Sequence, residues 1–279
     1  MLRKITFLLL LLPFVFFAQE KTFYHYGIDE GLSQESIQTI IKDTTGFIWI
    51  GTQEGLNRFD GDSFKVYKSD FETSNSICGN DIEELLEFEN YIFIGSKNNG
   101  VCYYDKSLNI FFKTDIISGT CTGFAKYNNT VYVSILNDGL YKIETVNDSF
   151  VTSKVTSFSQ KNVTSLYSNE NSIFIGTNTG IMYYKSMKTS ETFKKVNITE
   201  KTATINTFFL NEQIVWIGTS VGLFKYDLKN KEVNFINVKN DISVSKKVKV
   251  NKIVKEKSYY YIATDNGLFL LNDFNSNNK

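Results

Sequence analysis

The sequence predicts an all-β protein, a β-propeller of six four-stranded blades, and two recurring patterns support this prediction. The first pattern is an aromatic residue, an aliphatic residue, a small residue and a hydroxyl residue with a glycine soon after, as in Trp49 to Gly55. The second lies upstream and reads apolar-x-x-apolar-apolar, as in Ile37, Ile40 and Ile41. Recurrence with a period of about 40 residues is typical of an array of stacked supersecondary units.

Both patterns recur in all six units in the same register, although the third unit lacks the hydroxyl residue of the first pattern. The aromatic positions are Trp49, Phe93, Tyr132, Phe174, Trp216 and Tyr261. The upstream patterns begin at Ile37, Ile82, Cys121, Val163, Ile205 and Val250. We therefore expect repeat cores near residues 36–68, 80–113, 120–154, 162–196, 204–237 and 249–271.

Within one unit, four short runs have the length of β-strands and are bounded by turn residues. In the first unit they are residues 37–42, 47–52, 56–60 and 64–67. The second run is apolar on both faces, which requires cover on both sides, and blades stacked around an axis supply that cover. The aromatic residue of each second run should then pack its blade against the next one.

Two glycine positions in the repeat have different predicted roles. Gly51 and its counterparts keep one strand position small, which suggests close approach of a neighbouring backbone. Gly55 has a glycine counterpart in all six units and should close the following turn with a positive φ.

The sixth unit stops after its third predicted strand, and a polar tail follows over residues 273–279. Residues 22–27 repeat the Phe-x-x-Tyr spacing of Phe64 and Tyr67. We therefore expect these residues to form the missing outer strand of the last blade and to close the ring, which would remove an open sheet edge. An incomplete seven-bladed propeller is the alternative.

The N-terminus has the pattern of a secretory signal peptide. Two basic residues, Arg3 and Lys4, precede an uncharged apolar run too short to span a membrane, and charge follows at Glu20. We expect residues 1–18 to be removed, residues 19–272 to form the propeller, and the mature chain to be periplasmic or secreted without a membrane span.

The net charge limits the kinds of partner that we expect, and the cysteine content limits the possible disulfides. The formal net charge of +0 gives no excess of basic residues for nucleic acid, so none is expected. The three cysteines, Cys78, Cys102 and Cys121, leave one unpaired in any scheme. Cys102 and Cys121 occupy apolar positions of the repeat and are expected in the core, while a disulfide stays open as an alternative.

No catalytic or metal-binding constellation stands out in the sequence. His25 is the only histidine, so a histidine-dependent site would rest on that residue alone. Asp60-Gly61-Asp62 lacks the further spaced oxygen ligands of a calcium loop and fits a hairpin turn. We therefore expect no cofactor, no metal and no enzymatic activity.

The loops between the second and third strands should open on the same face as the loops that lead to the next blade. Amides and carboxylates gathered around an axial opening suit a neutral polyhydroxylated ligand. The candidate ligand-binding residues on this face are Gln53, Glu54, Asn98, Asn99, Asn137, Asp138, Asn178, Thr179, Ser220, Asp265 and Asn266. Ordinary turn composition is the competing interpretation of these residues.

The first unit closely resembles the two-component regulator propeller repeat. The resemblance is carried by Gly31-Leu32-Ser33, Asp43, Gly46, Ile48 to Thr52, Gly55 to Gly61, Phe64 and Tyr67, and it weakens while staying in register to Leu271. It implies the sensor region of a hybrid two-component system in Bacteroidetes-type bacteria, which detects saccharides released from polysaccharides. Such proteins usually carry two propellers, typically of seven blades, followed by a membrane helix and a kinase core.

Three functions follow from these observations. The leading one is a secreted or periplasmic sensor module that binds an oligosaccharide or other small polar ligand and acts with a membrane sensor kinase. The second is a platform at the cell envelope that binds a partner protein. The third is a lyase or glycosidase on the same scaffold. The chain is interpreted either as a stand-alone module or as part of a longer protein.

Overall fold

The computed structural model describes residues 24–70, 72–147, 149–186, 192–199, 202–236 and 248–272. These residues form six antiparallel sheets, and they contain no helix. The sheets follow one another in chain order as the blades of a six-bladed β-propeller, which confirms the predicted fold class. The predicted signal segment 1–18 and the tail 273–279 lie outside the described residues.

The first three blades account for the strands β1 to β12. Blade 1 contains β1 (Ile37–Lys42), β2 (Ile48–Thr52), β3 (Gly55–Phe59) and β4 (Phe64–Tyr67). Blade 2 contains β5 (Ile82–Phe88), β6 (Tyr91–Ser96), β7 (Val101–Asp105) and β8 (Ile110–Lys113). Blade 3 contains β9 (Cys121–Tyr127), β10 (Thr130–Ile135), β11 (Gly139–Val146) and β12 (Ser149–Lys154).

The last three blades account for the remaining strands. Blade 4 contains β13 (Val163–Ser168), β14 (Ser172–Thr177), β15 (Ile181–Ser186) and β16 (Lys194–Asn197). Blade 5 contains β17 (Ile205–Asn211), β18 (Ile214–Thr219), β19 (Gly222–Asp227) and β20 (Val233–Ile236). Blade 6 contains β21 (Val250–Glu256), β22 (Tyr259–Thr264) and β23 (Gly267–Asn272).

The innermost strand of each blade carries the same irregularity. In β1, Ile37 pairs with Thr52 and Thr39 pairs with Gly51, so Gln38 has no partner on β2. The other five innermost strands skip their second residue in the same way. Such a bulge bends a strand and redirects a side chain. In each blade it lies inside the apolar-x-x-apolar pattern.

The blades pack face to face through the repeated apolar positions. Trp49 on β2 is buried and shares a core cluster with Ile82 and Leu85 of blade 2, together with Ile77 of the connector. Trp216 on β18 is buried in the same way among residues of blade 6, including Val250. The aromatic position therefore joins each blade to the next, as the repeat predicted.

The small residue of each second strand makes room for a side chain of the next blade. A Cβ placed on Gly218 would lie 2.6 Å from Cγ1 of Val250 and 2.6 Å from Cγ2 of Thr207. A Cβ on Gly51 would likewise lie 2.6 Å from Cγ2 of Ile82. The prediction of close approach is confirmed, but the neighbour is a β-branched or other side chain of the following blade and not its backbone.

The turn glycines have the predicted backbone conformation. All six have a positive φ, from 69° at Gly100 to 140° at Gly222. The preceding hydroxyl closes several of the turns, since Thr52 and Thr219 donate hydrogen bonds to the carbonyl oxygens of Gly55 and Gly222. Glycine is favoured here because L-residues rarely adopt this conformation.

The described part of the predicted closing strand, residues 24–27, does not form a strand. Residues 22 and 23 lie outside the described residues, residues 24–27 are not part of a strand, and the sheet of blade 6 has three strands. Tyr26 packs instead on blade 1, with its ring 5.0 Å from that of Phe59. In blade 6, the last blade of the chain, Leu268 of β23 is 61% exposed. Residues 24–27 therefore lie beside the first blade and do not complete the last.

A disulfide joins Cys78, in the connector after β4, to Cys102 on β7. Cys102 is buried, as its place in the repeat predicted, and the alternative of a disulfide is realised for this pair. Cys121 is free and buried. The bridge ties the longest connector to the sheet that it leads into.

The packing of Gly218 predicts a large effect of a bulkier residue. We expect Gly218→Val to lower the free energy of unfolding by about 1–3 kcal/mol, because overpacking against Val250 and Thr207 forces side chains from their positions. Urea denaturation measures the change. The matched control is Ala263→Val in blade 6, because no further blade covers this position in the described part of the chain, and its effect should stay below about 1 kcal/mol. Equal effects at the two positions would contradict this account of the interface.

The disulfide predicts a redox-dependent stability. It closes a loop with a sequence separation of 24. Replacing Cys78 and Cys102 by serine and alanine should lower the free energy of unfolding by about 3 kcal/mol, mainly because the unfolded chain regains freedom. Denaturation of the wild type with and without dithiothreitol should show a similar loss. The double variant serves as the control, since its stability should not respond to the reductant.

Candidate functional site

The six turns between the second and third strands of each blade form one surface, here called the turn face. They span residues 53–54, 97–100, 136–138, 178–180, 220–221 and 265–266. Every predicted ligand-binding residue lies in one of these turns. Most of their side chains are exposed, while Asp138 and Ser220 are half-buried.

Backbone hydrogen bonds fix each turn to the residue that enters the innermost strand. The N–H of Asn178 donates to the carbonyl oxygen of Asn162 at 3.3 Å, and that of Ser220 donates to Thr204 at 2.9 Å. The same bond recurs in blades 2, 3 and 6. The turn and the connector into the innermost strand therefore lie on the same side of the propeller, as the topology predicted.

Blade 2 brings several predicted residues together with the connectors on either side of it. A Cβ on Gly79 of the connector after blade 1 would lie 2.8 Å from Oδ1 of Asn99. Asn99 also forms a parallel bridge with Gly119 of the following connector. The side chains of Asn98 and Thr120 are hydrogen-bonded at 3.3 Å. This part of the turn face is the most continuous one that the structure shows.

Other predicted residues are engaged within their own blades. Asp138 accepts hydrogen bonds from Lys154 and Tyr141, and these bonds lower the pKa of its carboxyl group. Asp265 accepts a 2.7 Å hydrogen bond from the side chain of Asn251. Among the described residues, no hydrogen bond joins predicted site residues of two different turns. They share a face without forming one hydrogen-bonded cluster.

A second set of polar residues, here called the inner rim, was missed by the sequence analysis. It consists of the two residues that separate the first and second apolar positions of the apolar-x-x-apolar-apolar pattern in every innermost strand. The bulge lies at these residues. Its members are Gln38, Thr39, Glu83, Glu84, Thr122, Gly123, Thr164, Ser165, Asn206, Thr207, Asn251 and Lys252. The sequence signal that could have revealed it is that these positions are polar or glycine in all six units.

Bulged residues of the inner rim connect consecutive blades. Thr122 donates to the carbonyl oxygen of Val163 at 2.9 Å, and Thr164 donates to that of Ile205 at 2.7 Å. Asn206 donates to the carbonyl oxygen of Val250 at 2.9 Å. Blades 3 to 6 are therefore linked by side chains that bond the first residue of the next innermost strand.

Glu84 is the most electrostatically perturbed residue of the inner rim. Burial raises the pKa of its carboxyl group to about 7, the positive charge of Lys252 opposes this rise, and the nearby Glu83 adds to it. Glu84 belongs to blade 2 and Lys252 to blade 6, so the charge of one blade affects a carboxyl group on another blade that is not its neighbour in the sequence. Among the described residues, none donates a hydrogen bond to Glu84.

The other candidate chemical groups have structural roles or isolated positions. Asp60 accepts backbone hydrogen bonds from Asp62 and Ser63 at 2.9 and 2.8 Å, which fits the hairpin-turn interpretation. His25 is exposed in the segment before β1. Within the described ranges, no three His, Cys, Asp or Glu side chains are grouped so that they could hold a metal ion.

In the part of the chain that the structure describes, no helix has the length and apolar character needed to cross a membrane.

The raised pKa of Glu84 predicts a pH-dependent stability. The folded protein favours the protonated carboxyl group, so the stability that this group contributes is complete below pH 4.5 and is lost as pH rises through about 7. Glutamine does not titrate, so Glu84→Gln should not lose this stability. Between pH 4.5 and pH 7, its free energy of unfolding should therefore rise relative to that of the wild type by on the order of 2 kcal/mol. Urea denaturation at several pH values measures it. A constant difference between the two proteins would contradict the raised pKa.

Comparisons with known proteins agree with the repeat. Residues 31–54 match the two-component regulator propeller family model. A stretch of 48 residues is 50% identical to Histidine kinase P4 of Formosa agariphila. This stretch makes up 17% of this chain and 4% of the kinase. The matched kinase is therefore far longer than this chain.

Similar solved structures cover most of the chain. The extracellular domain of the hybrid two component system BT3049 from B. thetaiotaomicron superimposes with a TM-score of 0.73 at 22% identity, over 91% of this chain and 36% of that one. The extracellular domain of BT4673 from the same organism gives a TM-score of 0.65 at 20% identity, over 84% and 31% of the two chains. This chain thus spans about a third of each domain, and these structures support its propeller fold.

Proposed function

We propose that this chain is a non-enzymatic, ligand-sensing propeller module of a two-component regulatory system and that it acts in the periplasm or outside the cell. The observation that carries the proposal is the regulator propeller match at residues 31–54, together with the likeness of nearly the whole chain to extracellular domains of hybrid two-component systems. The apolar, uncharged N-terminal segment of the sequence supports an exported protein.

The ligand is a glycan-derived oligosaccharide that binds on the turn face above the inner rim. Exposed amides of Asn99, Asn137 and Asn178 offer both donors and acceptors to sugar hydroxyl groups. The inner rim adds hydroxyls, amides and the carboxyl group of Glu84 around the axis. Neutral polar groups predominate in both sets, which suits a polyhydroxylated ligand better than a strongly charged one.

The partner is a membrane sensor kinase or another protein of the cell envelope. The chain supplies a scaffold of six blades and a polar face, while phosphoryl transfer belongs to a kinase. The partner would then detect the binding of the ligand on the turn face.

Isothermal titration calorimetry with an oligosaccharide panel tests the site. The triple variant Asn99→Ala, Asn137→Gly and Asn178→Ala should weaken binding at least tenfold, because it removes amide donors and acceptors from three adjacent turns. Glycine is used at Asn137 because its φ is 61°. The control is Asn230→Ala at the opposite hairpin end of blade 5, between β19 and β20. Unchanged affinity in a folded triple variant would contradict the proposed site.

A platform for protein partners is a second candidate function, which one observation favours. Apolar side chains are exposed on both terminal blades, such as Ile40 at 57% and Leu268 at 61%. Exposed apolar surface often marks a protein interface. Co-purification of an envelope protein in the absence of any oligosaccharide binding would favour this function over the first.

A further inference from the structure

Four glycines of the chain directly follow an asparagine or an aspartate. The pairs are Asn99-Gly100, Asn266-Gly267, Asp60-Gly61 and Asp138-Gly139. In such a pair the main-chain nitrogen of the glycine can approach the side-chain carbonyl carbon of the residue before it, because glycine has no Cβ to obstruct the approach. All four pairs are therefore candidates for intramolecular cyclisation, and their surroundings in the fold decide which of them can react.

The pair Asn99-Gly100 is held by the connectors on either side of blade 2. The N–H of Gly100 donates a 3.0 Å hydrogen bond to the carbonyl oxygen of Gly119, and Gly100 is buried against the main chain of Ile116. The side chain of Asn99 lies against Gly79, where an added Cβ would come within 2.8 Å of its Oδ1 atom. Both the attacking nitrogen and the amide that it would attack are therefore restrained.

The two aspartate pairs are held through their carboxylates. Oδ1 of Asp60 accepts hydrogen bonds from two backbone N–H groups of its own hairpin, at 2.9 and 2.8 Å. Asp138 accepts hydrogen bonds from Lys154 and Tyr141. An ionised carboxylate is also a poor target for a nucleophile, because it carries no good leaving group. We therefore expect neither pair to cyclise readily in the folded protein.

The pair Asn266-Gly267, in the turn between β22 and β23, lacks these restraints. Both residues are exposed, and a Cβ placed on Gly267 would meet no atom within 4 Å. Oγ1 of Thr264 accepts a hydrogen bond from the N–H of Asn266 at 3.1 Å and donates one to the carbonyl oxygen of Gly267 at 2.8 Å. Neither bond involves the nitrogen of Gly267 or the side-chain amide of Asn266, the two groups that would react. Among the described residues, no hydrogen bond reaches that amide.

The exposure of this turn has a structural cause. In blades 1 and 5 the outer strand covers the turn glycine. A Cβ on Gly55 would lie 2.9 Å from the carbonyl oxygen of Tyr67 on β4, and a Cβ on Gly222 would lie 2.6 Å from Cε2 of Phe235 on β20. The described part of blade 6 has three strands, so no outer strand lies over Gly267 there.

We propose that Asn266 is a site of spontaneous deamidation in the folded protein. The main-chain nitrogen of Gly267 loses its proton and attacks the side-chain carbonyl carbon of Asn266, which forms a cyclic succinimide and releases the amide nitrogen as ammonia. One water molecule then opens the ring. Attack of water on the side-chain carbonyl carbon gives aspartate, and attack on the main-chain carbonyl carbon gives isoaspartate. No oxidant or reductant is consumed.

The reaction adds one negative charge to the turn face. The new carboxylate stands next to Asp265, whose own carboxylate accepts a 2.7 Å hydrogen bond from Asn251 of the inner rim. Neighbouring carboxylates repel each other. Isoaspartate also adds one carbon to the main chain of a turn that is closed by the hydroxyl of Thr264. This inference concerns the covalent state of the protein and does not depend on which ligand the turn face binds.

The two asparagine–glycine pairs of the chain provide the test, because they share the same dipeptide in the same solution. The purified protein is incubated in mildly alkaline buffer, and its tryptic peptides are followed by tandem mass spectrometry, which detects the replacement of an amide by a carboxylate at each site. In the folded protein we expect Asn266 to deamidate at least tenfold faster than Asn99. In urea-unfolded protein the two rates should converge, because the fold then restrains neither pair.

A pair of variants identifies the site independently. Asn266→Gln should abolish the more acidic form that ion-exchange chromatography resolves after incubation, because the longer glutamine side chain does not readily form this ring. The matched control Asn230→Gln, in the hairpin between β19 and β20, should leave that form unchanged.

Three results would overturn the proposal. The first is an equal rate at Asn99 and Asn266 in the folded protein. The second is a rate at Asn266 that rises at least tenfold on unfolding, since the fold would then restrain this pair as well. The third is a difference between the two sites that persists in urea, which would assign it to the local sequence and not to the fold.

Discussion

Burial of one blade by the next is the interaction on which the structure depends. The apolar residues of every innermost strand after β1 fit against the aromatic and leucine positions of the preceding blade, and the small residue of that blade's second strand leaves the necessary space. Full burial of one aliphatic side chain stabilises the fold by about 1.5–3 kcal/mol, and each interface repeats this several times. A single blade lacks this cover, so the array and not the sheet is the unit of stability.

Much of this architecture was predictable because a strand that is buried on both faces needs apolar residues at successive positions, and this pattern is easily recognised in the sequence. Trp49 and Trp216 were expected at equivalent places, and both lie on second strands at a blade interface. The positive φ of Gly55 was predictable for a different reason, since glycine recurs at that turn in every unit. Both signals come from local physical requirements that every repeat must satisfy.

The predictions were wrong or incomplete where the position of a segment or the burial of a side chain depends on its neighbours in the folded protein. The Phe-x-x-Tyr pattern at residues 23–26 suggested the fourth strand of blade 6, but residues 24–27 are not part of a strand and Tyr26 lies beside blade 1, because the pattern cannot show which blade the segment accompanies. The Cys78–Cys102 pair was one of several possible pairings until the connector was placed. Glu84 was missed because its burial and its proximity to Lys252 arise only when the strands surround an axis. The turn-face residues were located correctly, while their binding role stays a prediction.

The bonds of the inner rim have a mechanical consequence. The turn residue Asn178 is bonded to Asn162, which leads directly into β13, and Thr164 of that strand is bonded to Ile205 of blade 5. A shift of the turn is therefore transmitted to an innermost strand and from there to its neighbour. Tilting one of these blades would tilt the next in the same sense, so a small displacement at the surface would pass along blades 3 to 6 as a collective rotation.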